Sequence, residues 1–149
     1  MKSSKILGII IGIVQLVSLV ALILGMQSML GVFASAFSSG EQGATIQYTD
    51  PVVIPVTLNP VNSGYLDATM NVKISMLVDG TEVVSDSAIV VVPAGSSVPV
   101  KLELRIPLVD AEQYFQPGLK IQQDIEVQVS TLYDLISFNN HMIMEVGTQ

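Results

Sequence analysis

Twenty consecutive residues without a charge, Ile6 to Gly25 (ILGIIIGIVQLVSLVALILG), set the first limit on what this chain can fold into. A helix rises about 1.5 Å per residue, so the run spans roughly 30 Å, the thickness of the hydrocarbon core of a bilayer. Nothing else in the chain is large enough to surround such a helix, which argues against a buried helix of a soluble protein. Met29-Leu30-Gly31-Val32-Phe33 is expected to continue it into the headgroup region, because a helix longer than the bilayer tilts or protrudes at modest cost.

The segment beyond the run admits two readings. Ala34-x-Ala36 before Phe37 has the small residues of a signal-peptidase site, yet secretory apolar regions run about 7–15 residues with cleavage soon after. Here the run is longer and Ala36 lies eleven residues past Gly25. The favoured reading is an uncleaved anchor over residues 1–37, with cleavage after Ala36 as the alternative. Lys2 and Lys5 precede the run and no basic residue follows until Lys73. By the positive-inside rule this places the N-terminus in the cytoplasm and the rest outside the cell membrane. Within the run, Gly8 and Gly12 form a GxxxG whose face also carries Gln15, a pattern that admits a close neighbouring helix. The expected partners are therefore the lipid bilayer and, through these three residues, a second copy or a larger membrane complex.

The net charge of −7 is unevenly spread: all 13 acidic residues follow the run, against four basic ones, Lys73, Lys101, Arg105 and Lys120. An acidic domain without a basic stripe repels a phosphate backbone, so nucleic acid is not an expected partner. The chain has no Cys and no Trp, which removes disulfides and thiolate chemistry and leaves Val, Ile, Leu and Met to build the core. Core residues of that kind favour strands.

Residues 38–44 have the composition of a linker, and from Thr45 the apolar period becomes two. Ile46, Tyr48, Val52, Ile54, Val56 and Leu58 share a parity broken by Pro51 and Pro55, which suits an edge strand. Met70 to Val78 alternates cleanly. Asp79-Gly80 is a type I′ hairpin signal, because both residues tolerate positive φ. A strand begins at Thr81, and after Ser85–Ser87 the residues Ala88 to Val92 form an apolar stretch stopped by Pro93-Ala94-Gly95-Ser96-Ser97. Val98 to Ile106 alternates again. Asp110 to Phe115 reads as a short helix that turns Val109 and Phe115 toward the core. Ile125, Val127 and Val129 mark another strand, and His141 to Val146 a last one. The expectation is an all-β fold over residues 45–149: an immunoglobulin-like antiparallel β-sandwich of about seven strands with a short connecting helix, behind one transmembrane helix.

Leu58-Asn59-Pro60, Gly64-Tyr65-Leu66-Asp67, Asp79-Gly80, the Pro93 to Ser97 turn and Ile106-Pro107 succeed one another in a familiar order. From Thr45 to Val146 the chain resembles the late embryogenesis abundant group 2 family, also called the water stress and hypersensitive response domain. Thr131-Leu132-Tyr133-Asp134-Leu135-Ile136-Ser137-Phe138 is similar to its closing segment, while Val61-Asn62-Ser63 stands where the family often has a further Pro. The resemblance implies a seven-stranded sandwich, often membrane-tethered, with no catalytic residues and a role in stress tolerance, signalling or binding of lipids and partners.

The search for chemistry returns little. His141 is the only histidine and would need metal or catalytic partners from elsewhere in the fold. Asp79, Glu82 and Asp86 lack the spacing and the glycine of a calcium loop. Asp110 and Glu112 suit a helix start, where carboxylates complement the dipole. No Gly-x-Ser-x-Gly, phosphate-binding glycine loop or Asn-x-Ser/Thr acceptor occurs. No catalytic, metal or cofactor residue is expected, and no enzyme. The leading expectation is a non-catalytic, membrane-anchored sandwich with a binding, structural or stress-protection role. A subunit of a surface filament or membrane complex is the alternative, and a released soluble protectant the third class.

Overall fold

A computed structural model of the chain describes residues 2–38, 47 and 49–145. Ile46, Tyr48, Val146 and residues 39–44 of the expected linker lie outside the described residues. The elements are α1 (Lys2–Ser38), β1 (Val52–Leu58), β2 (Ala68–Val78), β3 (Thr81–Val92), β4 (Val100–Ile106), α2 (Leu108–Tyr114), β5 (Ile121–Thr131) and β6 (Ile136–Glu145). The strands form two antiparallel sheets, β1-β4 and β3-β2-β5-β6.

The described residues therefore hold six strands where about seven were expected. The difference lies at Ser85 to Ser87: these residues pair in register with Ser75, Ile74 and Lys73, so one ladder runs through a stretch that its polarity marks as a break. The alternating segments behave as their period demands. Val100, Leu102, Leu104 and Ile106 are buried while Lys101, Glu103 and Arg105 are exposed. Met70, Val72, Ile74, Ile125, Val127 and Val129 fill the centre from the larger sheet. Asp79 (φ 49°) and Gly80 (φ 82°) both adopt positive φ and close the β2–β3 hairpin, as a type I′ turn requires.

The short helix faces otherwise than its sequence suggests. Ala111 is buried and Tyr114, three residues on, packs against the core, whereas Val109 is 69% exposed and Phe115 37%. Helix entry straight after Pro107 sets this phase: positions three apart share a face, and Val109 lies on the other side.

The largest departure is in α1. Residues Lys5 to Val20 are exposed all round, but from Ala21 onward one face becomes covered. Met29, Val32 and Ala36 belong to the core, with Phe33 and Phe37 packed beside them. The helix touches β5, β6 and β2, whereas β4 lies against β3 and β2, so α1 and the β1-β4 sheet share one face of the larger sheet. Phe33 meets Phe138 of β6 edge-on, with ring centroids 5.0 Å apart. Met29, Val32 and Phe33 thus pack against the sandwich while Leu30 stays exposed, and the helix runs unbroken through Phe37 to Ser38. The cause is a row of small residues, Gly25, Ser28, Gly31 and Ser35, whose spacing keeps them on one side and lets neighbouring backbone approach.

Candidate functional site

Two regions place polar or distinctive groups together: the junction of helix and sandwich, and the outer face of the larger sheet. At the junction, residues 61–66 run against α1. Ser35 Oγ accepts the Val61 N–H at 2.7 Å, and Ser28 Oγ accepts the Leu66 N–H at 3.1 Å. Gly64 lies so close to Ser28 that a Cβ built on it would stand 2.5 Å from the Ser28 Cα. The segment is held in shape by Asn62, a fully buried side chain. Its Nδ2 donates to Leu66 O (2.8 Å) and Val92 O (2.9 Å), and its Oδ1 accepts the Gly64 N–H (3.0 Å). Nothing in the local sequence pattern singles out Asn62; the only signal is that it occupies a place where the resembled family often carries Pro.

The helix-packing candidates lie on the other half of α1. Gly8 and Gly12 have open space around them, and Gln15 is exposed. At about 100° per residue, their face is turned roughly a third of a revolution from the one that buries Val32 and Ala36. A neighbouring helix can reach it without meeting the sandwich. The β1 edge, by contrast, is partly taken: Gln47 bridges to Val53 through N–H···O bonds of 3.0 and 3.1 Å.

On the outer sheet face, cross-strand register aligns Lys73, Glu126 and His141, with Asn71, Gln128 and Asn139 in the adjoining row. These six line a shallow groove of about 330 Å³. Asp124, one pair along, puts its Oδ1 2.6 Å from His141 Nε2; that oxygen is sealed from solvent, yet the contact lacks hydrogen-bond geometry. Asp124, Glu126 and His141 offer three donor atoms within 4.8 Å of one another, so the fold supplies the partners His141 lacked in the sequence. A cation there would share its surroundings with Lys73, whose ammonium bonds Glu82 Oε2 at 2.9 Å. That hydrogen bond raises the Lys73 pKa above its ordinary value, with the charges of Glu82, Glu126 and Asp124 adding to it, and it lowers that of Glu82. The carboxylates are thus balanced by a resident ammonium. Among the described residues lining the groove, no hydroxyl or thiol stands beside His141 to act as a nucleophile. The face offers paired hydrogen-bond donors and acceptors, suited to holding a polar group.

No family model matches the chain, and no curated protein matches it. Solved structures do resemble it. A crystal structure of a protein from Archaeoglobus fulgidus superposes with a TM-score of 0.50 at 14% identity, covering 70% of this chain and 90% of that one. A β-glucuronidase of glycoside hydrolase family 2 gives a TM-score of 0.39 at 14% identity, covering 62% of this chain and 10% of that one. The first likeness agrees with the sandwich-like architecture and shows the fold alone.

Proposed function

We propose that this chain is a single-pass membrane protein whose sandwich stands outside the membrane and works without catalysis, presenting a polar sheet face at a set position above the bilayer. One observation carries the reading: a single unbroken helix serves both phases. Residues 5–20 are exposed all round, while Met29, Val32 and Ala36 lie in the sandwich core. Cleavage after Ala36 would remove those core residues, so the anchored form is favoured over a released one. Lys2 and Lys5 before the run, with no basic residue after it until Lys73, support a cytoplasmic N-terminus.

The immunoglobulin-like class and the resemblance to late embryogenesis abundant group 2 proteins, with their stress-protection and binding roles, belong to the same reading. They are supported by the placement of Asn59-Pro60, Asp79-Gly80 and Pro93 to Ser97 at strand ends. Intact mass of the native protein, with protease applied to whole cells, tests it. The expected result is a chain that retains α1 and a sandwich digested only from outside; a mature chain starting at Phe37 would overturn it.

A second reading, a subunit of a filament or membrane complex, is favoured by the open face of Gly8, Gly12 and Gln15. Replacing both glycines with Ile should then disperse oligomers in bilayer nanodiscs without altering the sandwich melt. A parent chain that is strictly monomeric there would remove this reading.

A further inference from the structure

Among the described residues, the β5–β6 turn holds the longest run of left-handed backbone. Leu132, Tyr133 and Asp134 take φ of 52°, 56° and 65° in succession, a left-handed run that non-glycine residues avoid. It is held by two bonds: the Ser130 hydroxyl donates to Asp134 Oδ1, and the Leu135 N–H to Leu132 O at 3.2 Å. The result is outward display of apolar groups, with Tyr133 101% and Leu135 84% exposed. A soluble turn gains nothing from holding such residues in water; strained backbone of this kind persists where the display itself is used.

The place of this turn in the fold says what it meets. A Cβ on Gly25 would stand 2.9 Å from Ile136 Cδ1, 3.0 Å from Thr131 Cγ2 and 3.7 Å from Leu132 Cδ1, so the turn is packed against α1 where the apolar run ends. Ser28, three residues further and about 5 Å along the axis, touches the segment that carries Tyr65, itself 70% exposed. The interfacial layer on each side of a bilayer is about 5–8 Å thick. With α1 spanning and the hydrocarbon ending near Gly25, both tyrosines would stand at headgroup level, the depth at which amphipathic rings concentrate.

We infer that the β5–β6 turn, Leu132 to Leu135, enters the interfacial layer of the bilayer that α1 spans, with Tyr133 and Leu135 as the inserted side chains. The inference rests on the reading of α1 as a spanning helix. The turn's one charge, Asp134, accepts the Ser130 hydroxyl, so insertion depends on the aromatic and apolar groups and not on lipid charge.

The absence of Trp from the chain makes the test clean. Single-Trp full-length variants Tyr133→Trp, Leu135→Trp, Leu16→Trp and Val109→Trp are placed in phosphatidylcholine nanodiscs, with and without lipid brominated high or deep on the acyl chain. Tyr133→Trp and Leu135→Trp should emit to the blue and lose most of their emission to shallow bromine, Leu16→Trp to deep bromine, and Val109→Trp should be unaffected. Leu135→Trp lies outside the left-handed run, so it answers even where Tyr133→Trp does not fold. Quenching of Leu16→Trp alone overturns the insertion and leaves the anchor standing. No quenching of Leu16→Trp overturns the anchor itself. Blue-shifted but unquenched turn variants overturn the insertion in favour of coverage by another protein copy, and quenching of Val109→Trp overturns it in favour of a sandwich lying flat.

Discussion

Gly64→Ala puts the docking of α1 under direct strain. The added Cβ would stand 2.5 Å from the Ser28 Cα and 2.7 Å from its Cβ, where carbon atoms prefer about 3.5–4.0 Å. Because one of the two is backbone, no rotamer change relieves the clash, and helix and loop must separate by about 1 Å. The Ser28 Oγ to Leu66 N bond, 3.1 Å in the native chain, is then stretched past the useful range. Overpacking costs about 1–3 kcal/mol and the lost bond about 1 kcal/mol, so docking is weakened by roughly 2–4 kcal/mol. For a domain of this size that lowers Tm by about 6–16 °C. Thermal unfolding of the full chain in detergent, monitored by the strand signal in circular dichroism, reads the effect. Gly8→Ala, at a position with open space around it, is the matched control and should melt with the parent. A Gly64→Ala chain that also melts with the parent would refute the view that α1 is part of the sandwich.

The same contacts set three other outcomes. A chain begun at Phe37 loses Met29, Val32 and Ala36 from the core; at about 1.5–3 kcal/mol for each of the larger two, its melt should be far less cooperative, with raised binding of apolar dyes. Asn62→Ala leaves two carbonyls and one N–H without their partner, and should lower unfolding stability by about 3 kcal/mol or more in denaturant titration. Glu82 has its pKa lowered by the Lys73 hydrogen bond, so its contribution to stability is present above the ordinary carboxylate value and fades as pH falls through the lower, folded value. NMR titration should place the Glu82 midpoint below 4.5, and Lys73→Met should return it toward that figure; an unchanged midpoint in Lys73→Met would contradict the pairing.

Where one side of an element is wet, the residues announce it. Lys101, Glu103 and Arg105 interleave with Val100, Leu102 and Leu104, and a period of two leaves no other arrangement. The same logic fails for α1, since a helix that is apolar all round hides which side meets protein and which meets lipid. Only the small residues at 25, 28, 31 and 35 mark that side, and small residues are common in membrane helices for other reasons. At α2 the two residues expected to face the core, Val109 and Phe115, draw attention from Ala111 and Tyr114, because helical phase decides what is buried. The grouping of Asp124, Glu126 and His141 is illegible in the sequence because it depends on β5–β6 register, which aligns Glu126 with His141 and which no local pattern specifies.

One consequence of the unbroken α1 concerns direction. A module on a slack tether has no compass bearing, whereas a sandwich packed on an α1 that spans a bilayer, as proposed, would take the azimuth of that helix for its groove of Lys73, Glu126 and His141. A single residue inserted between Gly12 and Ala21 would rotate the glycine face against that groove by about 100° and lengthen the exposed half of the helix by about 1.5 Å. Two chains meeting through Gly8 and Gly12 would hold their grooves at one mutual angle, set by the number of residues between and not by any contact outside the membrane.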